Sequence, residues 1–242
     1  MAKGNKSSVA ILIPCLNEGK TIGKVVRSFK KVLSDSICKD DYTIYVCDNH
    51  SDDDTGAKAT ESGAKVMYLH QKGKGAAVRY MFRHIDADCY VLVDGDDTYS
   101  ANDCLKMIDL VINHGLDMVI GDRLSGTYFA ENKRPFHNLG NRLVRYLVNH
   151  IFRGDITDVM TGYRAMSKRF VENYPCHSDG FEIETEMSIF TLQNGYAYRN
   201  IPVSYKDRED GSVSKINTIK DGAKILGFIG KAWATNFLSD DE

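Results

Sequence analysis

The segment Cys89-Tyr90-Val91-Leu92-Val93-Asp94-Gly95-Asp96-Asp97-Thr98 passes without a break from β-prone apolar residues to three carboxylates. Carboxylates buried without partners are costly, so these must be solvated, paired or gathered around a cation. In an open α/β sheet, ligands bind just beyond the carboxyl ends of the strands. Asp-x-Asp at such an end can offer oxygen ligands to a hard divalent ion, which would also hold a diphosphate. Standing alone, the same pattern is more often a plain acidic turn that closes a strand. The rest of the chain decides between the two.

Four other apolar runs of strand length surround this one. Val9 to Cys15 is followed by Asn17-Glu18, and Tyr42 to Cys47 by Asp48-Asn49-His50-Ser51. Lys65 to Leu69 leads to Lys72-Gly73-Lys74-Gly75, and Asp117 to Ile120 ends at Gly121-Asp122-Arg123. Between them lie helical patterns. Ile22, Val25, Val26, Phe29 and Leu33 recur with a period near 3.6, Asp52 to Ser62 reads as a short helix with acids in its first turn, and a further helix runs to about Ile85. Strands alternating with helices in this way predict βαβ crossovers and a mostly parallel sheet flanked by helices, in a single α/β domain.

Beyond residue 125 the pattern loosens. It predicts a loop from Ser125 to Pro135, a basic amphipathic helix over about 137–152 and a polar segment containing Asp158 to Arg164. An acidic helix follows over about Phe181 to Gln193, then a strand from Tyr198 to Val203, a charged loop over 205–215 and a last helix from about Asn217. The expected division is a nucleotide-binding half over about 8–123, an acceptor-facing half over about 124–216 and an amphipathic helix over about 217–238.

Composition narrows the class. The 242 residues, 43% hydrophobic and 26% charged, describe an ordinary globular protein with room for one large core. A net charge of −2 gives no global basic field, which argues against a nucleic-acid partner. Six cysteines show no C-x-x-C spacing and fit reduced, buried thiols. Neither a signal peptide nor an apolar stretch long enough to span a bilayer is visible, so the expected location is the cytoplasm.

In a parallel sheet the strand ends share one edge, so Pro14/Asn17/Glu18, Asp48/Asn49, Lys72 to Gly75 and Asp94/Asp96 converge on one crevice. Carboxylates and amides at the first two ends suit ribose and base edges. Gly73 and Gly75 let a ligand approach the backbone, with Lys72 and Lys74 near its negative charge; a helix-entry turn with solvated lysines is the alternative. These residues carry a resemblance. Ile13-Pro14-Cys15-Leu16-Asn17-Glu18, the stretch from Asp48 to Thr55, and Asp94-Gly95-Asp96 resemble the successive motifs of family 2 glycosyltransferases with the GT-A, Rossmann-like fold. Asp158 to Arg164, Gly180-Phe181-Glu182, and Asp207 to Lys215 resemble the branch of dolichol-phosphate mannose synthases and bactoprenol glycosyltransferases.

The resemblance implies a UDP- or GDP-linked sugar as donor, lying against Pro14, Leu16, Glu18, Asp48, Asn49, Lys74, Asp94 and Gly95. Asn49 stands where that branch usually has a second aspartate. Asp94 and Asp96 would hold Mg²⁺ or Mn²⁺, and Thr98 falls where some relatives place a metal-binding glutamine. Arg123 would contact donor or acceptor phosphate, and Arg208 and Lys215 would close on phosphate. The implied reaction is inverting transfer of a hexose or N-acetylhexosamine to a polyprenyl phosphate, undecaprenyl or dolichyl, whose oxygen needs no general base.

A hydroxyl of a surface polysaccharide or a teichoic-acid-type precursor is the alternative acceptor, and it would require a base. Glu184 or Glu182 is then the candidate, since some relatives place a catalytic acid there. Helical spacing puts Glu182 and Glu186 on one face, with Glu184 turned away; acids that stabilise a helix N-terminus are the plainer reading. A non-catalytic nucleotide-sugar-binding subunit is a third possibility, against which the intact Asp94 and Asp96 speak. Leu139, Leu143, Leu147 and Ile151, bordered by Arg142, Arg145 and Arg153, form one apolar stripe; Ile219, Ala223, Leu226, Ile229, Trp233 and Phe237 form another. Such helices either pack on the core or rest on an anionic bilayer at the inner face of the membrane. A membrane-protein partner and a homo-oligomer stay open.

Overall fold

The computed structural model describes residues 7–36, 41–125, 135–208 and 218–239. Its strands are β1 (Val9–Cys15), β2 (Tyr42–Asp48), β3 (Lys65–Tyr68), β4 (Cys89–Leu92), β5 (Met118–Asp122), β6 (Arg164–Ser167) and β7 (Tyr198–Pro202). Its helices are α1 (Ile22–Ser36), α2 (Thr55–Glu61), α3 (Lys74–His84), α4 (Asp103–Ile112), α5 (Pro135–Ile151), α6 (Lys168–Asn173), α7 (Ile183–Gln193) and α8 (Thr218–Ser239). The strands make one sheet in the order β3-β2-β1-β4-β6-β5-β7. Every pairing is parallel except the two made by β6.

The unbroken apolar runs of β1 and β4 follow from burial on both faces. Ile11 and Ile13 face a layer that includes Val26 and Phe29 of α1 and Met107 of α4. Ala10 and Leu12 face the opposite layer, with Val78 and Met81 of α3, Val148 of α5 and Met187 of α7. The chain winds outward through β1, β2 and β3, then returns to lay β4 on the free side of β1. The reversal of strand order between β1 and β4 opens a crevice at their carboxyl ends, the usual ligand position in such sheets.

Several elements differ from the sequence pattern. The segment read as polar around Asp158 to Arg164 runs into the antiparallel strand β6, and α4 and α6 had no counterpart in the pattern. Helix α2 starts at Thr55, so Asp52 to Asp54 lie ahead of it; Asp53 instead accepts from Gly19 N at 3.0 Å and Thr55 N at 3.0 Å. The five described cysteines are buried free thiols.

Helices α5 and α8 pack on each other and on the core through Val144, Val148, Ile225 and Ile229. The expected apolar stripes divide: Leu147, Ile151 and Ile229 pack on the core, whereas Leu143, Ala223, Leu226 and Trp233 are exposed, as is Tyr146; the side chains of Leu139, Ile219 and Phe237 lie outside those described. No described helix is long and apolar enough to cross a membrane.

Candidate active site

The carboxyl end of β4 delivers Asp94 to the crevice, and the first residue of α3 delivers Lys74. Lys74 Nζ lies 2.5 Å from Asp94 Oδ1 and 2.5 Å from Glu184 Oε1, so one ammonium bridges two carboxylates. Burial alone would pull the Lys74 pKa down, but the charges of Asp94 and Glu184 outweigh it and raise the value. For Asp94, burial raises the pKa; Lys74, aided by Arg123 and Arg208, more than reverses this and leaves it lowered. For Glu184, burial wins over Lys74, and its pKa stands above the ordinary carboxylate value. The three groups therefore differ in how firmly each keeps its charge.

Glu184 was expected to turn away, with Glu182 and Glu186 inward. The structure reverses this. Glu184 enters the crevice, while Glu186 accepts from the backbone nitrogens of His177 and Ser178 at 2.7 and 2.8 Å. Glu182 accepts from Gly180 N at 3.2 Å. The reason is that α7 is buried from Ile183 to Ile189, so it has no solvent side for a glutamate to choose.

Asp96 follows one residue beyond the turn. Its Oδ2 pairs with Arg208 at 2.7 Å, and its Oδ1 accepts from Thr98 Oγ1 at 2.6 Å. Thr98 thus braces Asp96 within the acidic turn. The next residue, Asp97, is nearly buried with φ of 60° and is clamped by Lys24 at 2.7 Å and Lys206 at 2.5 Å. Left-handed backbone at a non-glycine residue is uncommon, and here two cations from α1 and the segment after β7 hold it. Gly95 sits between the two aspartates, its carbonyl accepting from Thr21 Oγ1 at 2.7 Å.

Arg123, just beyond β5, is held by Asp158 through Nε at 2.7 Å and a second nitrogen at 2.9 Å. Burial lowers its pKa, and Asp158 outweighs that. The guanidinium lies 5.4 Å from the Tyr205 ring centroid, a cation–π contact. Gly162 abuts Asp94: a Cβ there would lie 2.5 Å from Oδ2. Behind this wall, Arg164 is fully buried; it donates to the carbonyls of Thr161 at 3.1 Å and Val159 at 2.6 Å and to Ser188 Oγ at 2.9 Å, and burial lowers its pKa to about 10.

The first two strand ends complete the edge. The pairing of Cys15 with Asp48 and of Asp48 with Tyr68 aligns β1, β2 and β3 there. Pro14, Leu16 and Glu18 are half-buried beside it. Asp48 accepts from Ser51 N at 2.9 Å. Asn49 is buried, with both ends of its amide bonded to the turn before α3. Gly73 and Gly75 do admit a close backbone, but it is the chain's own: a Cβ at either would collide with the carbonyls of Asp179 and Ser178. Lys215 lies outside the described residues.

The donor set suits a divalent ion that arrives with oxygen ligands of its own. Asp94 keeps 28% of its side chain exposed and Asp96 stands two positions on, both at the switch point. Among the described residues no three His, Cys, Asp or Glu gather as a metal cage. Mg²⁺ and Mn²⁺ accept such sites, using one or two carboxylates and completing their shell with phosphate and water.

Several participants had not been singled out from the sequence: Asp158, Gly162, Thr21 and the Lys24–Asp97–Lys206 clamp. Asp158 and Gly162 lie in a quoted motif, and an aspartate among apolar neighbours signals a buried partner. Lys24 and Lys206 carry no local signal.

The family model described as Glycosyl transferase family 2 matches residues 10–174. The chain is 34% identical over 220 residues to Glycosyltransferase AglJ of Haloferax volcanii, covering 90% of this chain and 70% of that protein. It is 28% identical over 217 residues to a dolichyl-phosphate hexose transferase of the same organism, covering 90% of each. The fold matches glucosyl-3-phosphoglycerate synthase from Mycobacterium tuberculosis, solved with Mn²⁺, UDP-glucose and phosphoglyceric acid, with a TM-score of 0.73 at 20% identity. That match covers 94% of this chain and 80% of the other, and it shows the GT-A architecture.

Proposed function

This chain belongs to glycosyl transferase family 2, and from that premise we propose that it moves a hexose or N-acetylhexosamine, with inversion, from a UDP- or GDP-linked donor to a polyprenyl phosphate. The observation that carries the reading is the pair Asp94 and Asp96 at the switch point, each already matched to a cation, Lys74 and Arg208. The complex of the mycobacterial enzyme with Mn²⁺ and UDP-glucose supports a divalent ion and a nucleotide sugar. The name of the dolichyl-phosphate hexose transferase supports a lipid phosphate acceptor.

In this reading Asp94 and Asp96 hold Mg²⁺ or Mn²⁺, which supplies Lewis-acid stabilisation of the charge on the departing nucleoside diphosphate. Lys74 and Arg208 turn from Asp94 and Asp96 to phosphate, and their fixed backbone positions keep that stabilisation preorganised. Arg123, steered by Asp158, presents its guanidinium to the acceptor side. A phosphate oxygen attacks in line without surrendering a proton, so Glu184 can stay with Lys74. Residues 8–123 form the donor half and 124–216 the acceptor half, while exposed Leu143, Tyr146, Leu226 and Trp233, with Arg142, Lys220, Lys224 and Lys231 exposed beside them, rest on an anionic bilayer.

A hydroxyl acceptor is the second reading, favoured by the raised pKa of Glu184, which suits a base. Purified protein given labelled nucleotide sugars, Mn²⁺ and short-chain polyprenyl phosphate is expected to yield an acid-labile lipid-linked sugar. Label that reaches only a soluble hydroxyl acceptor would overturn the first reading. Glu184→Ala separates them further, mild with a phosphate acceptor and severe with a hydroxyl one.

A further inference from the structure

Asn49 is buried at the end of β2, and its side chain faces inward to the protein. Its Nδ2 donates to the Gln71 carbonyl at 2.5 Å, and its Oδ1 accepts from Gly73 N at 2.6 Å. Its own backbone nitrogen donates to the Cys15 carbonyl at 2.8 Å, which ties the same residue to β1. Gly73 has φ of 137° and is the residue immediately before α3. The next residue is Lys74, the bridge between Asp94 and Glu184.

We infer that Asn49 is a positioning residue: its amide fixes the 71–73 turn and thereby sets the place of the Lys74 ammonium in the crevice. This rests on the transfer reaction proposed above only for its activity readout. The chemical point is the need for a donor and an acceptor on one side chain. An amide offers both, an ionised carboxylate only accepts. The turn presents a carbonyl at Gln71 and an N–H at Gly73, so amide and turn are matched. This accounts for asparagine where the resembling branch usually carries aspartate: with the Gln71 carbonyl aimed at this position, a carboxylate would face a second acceptor.

Asn49→Asp therefore makes a sharp test, because protonation of the new carboxyl restores the O–H donor and recreates the amide pattern. Burial and the facing carbonyl both disfavour its ionised form, so its pKa is raised above the usual aspartate value of about 3.9. Other titratable groups around it are Asp48 and His50 on either side, His70 after β3, and Lys72 and Lys74 on the turn. They are common to both proteins, so the quantity to follow is the ratio of variant to native.

The expected result is a ratio of kcat/KM that falls at least tenfold at pH 8 and climbs back toward one as the pH drops to 5. The melting temperature of the variant relative to native follows the same direction without any substrate. In a Lys74→Met background, Asn49→Asp is expected to have little further effect on turnover, since residues acting through one another are not additive. A pH-independent ratio in both measurements, or full additivity with Lys74→Met, overturns the inference. If no sugar transfer is detected in native protein, the reaction proposed above fails, while the melting comparison still decides the role of Asn49.

Discussion

Gly162→Ala tests the wall of the crevice with a single methyl group. The new Cβ would lie 2.5 Å from Asp94 Oδ2 and 2.8 Å from both Cγ and Oδ1. Comfortable contact between such atoms needs about 3.5 Å, so the carboxylate must retreat by about 1 Å. The backbone at Gly162 is not left-handed, so alanine itself is tolerated there. Asp94 can yield because 28% of its side chain is exposed. Overpacking that a partly exposed side chain can relieve sits at the low end of about 1–3 kcal/mol, and the reduced freedom of the unfolded chain returns about 0.4–1 kcal/mol. The melting temperature should thus change little. A misplacement of about 1 Å at the reacting centre, by contrast, costs on the order of 10²-fold in rate. Steady-state turnover across a Mn²⁺ titration, paired with thermal melting, reads both quantities. Undiminished kcat/KM with an unchanged metal requirement would refute the placement of Gly162 against a metal-binding aspartate.

Asp96→Ala is expected to abolish transfer and the metal dependence of nucleotide binding, measured by calorimetry with and without Mn²⁺; retained metal-dependent binding removes Asp96 from the ion. Lys74→Met leaves two carboxylates without their shared cation and is expected to destabilise the protein at pH 7 by about 3–5 kcal/mol, the usual loss when one partner of a buried pair is removed. The loss narrows as the pH falls toward the ordinary carboxylate values, because Asp94 is no longer held down and Glu184 stands higher still, and a protonated carboxyl needs no counter-charge. A loss that is the same at pH 5 and pH 8 in denaturant melts contradicts this. Arg208→Ala should lower kcat more than it weakens nucleotide binding, as the proposed action of the guanidinium on charge that develops during departure requires; equal effects on both argue for simple ground-state binding.

The fold was readable where burial leaves a simple mark. The run Val9 to Cys15 is apolar on both faces because helices cover both sides of the sheet, and the abrupt polar endings of β1, β2 and β4 mark the edge where the cover stops. The position of Asp94 and Asp96 at that edge, just beyond β4, was legible for that reason. Strand β6 was not legible: it is four residues long and opens with Arg164, whose burial depends on carbonyls and a hydroxyl supplied by tertiary contacts. The same holds for the polar partners. Arg123 meets Asp158 from 35 positions away and Lys206 meets Asp97 from 109, and no local period encodes such pairs. The glutamates of α7 show the failure of a local rule most directly. A face argument presumes one wet side, and this helix has none around Glu184.

The charges in the crevice constrain how a donor enters. Asp94, Asp96, Asp97, Asp158 and Glu184 face Lys24, Lys74, Lys206, Arg123 and Arg208, five carboxylates against five cations, all joined by the ion pairs described. Such a cluster is already balanced. In the proposed reaction a nucleoside diphosphate arriving alone would draw Lys74 and Arg208 away and leave partly exposed Asp94 and buried Asp96 without counter-charge, which is costly. With a divalent ion alone on the two aspartates, Arg208 would lose its carboxylate partner and Lys74 would keep only Glu184. In the proposed reaction the two aspartates would hold an ion that came with the donor, Arg208 would be free to meet the phosphates, and Lys74 would meet them while keeping Glu184 as its partner. For the proposed reaction this arrangement would favour donor and ion as one unit, with the aspartate–cation pairs as the state from which both sides of that exchange begin.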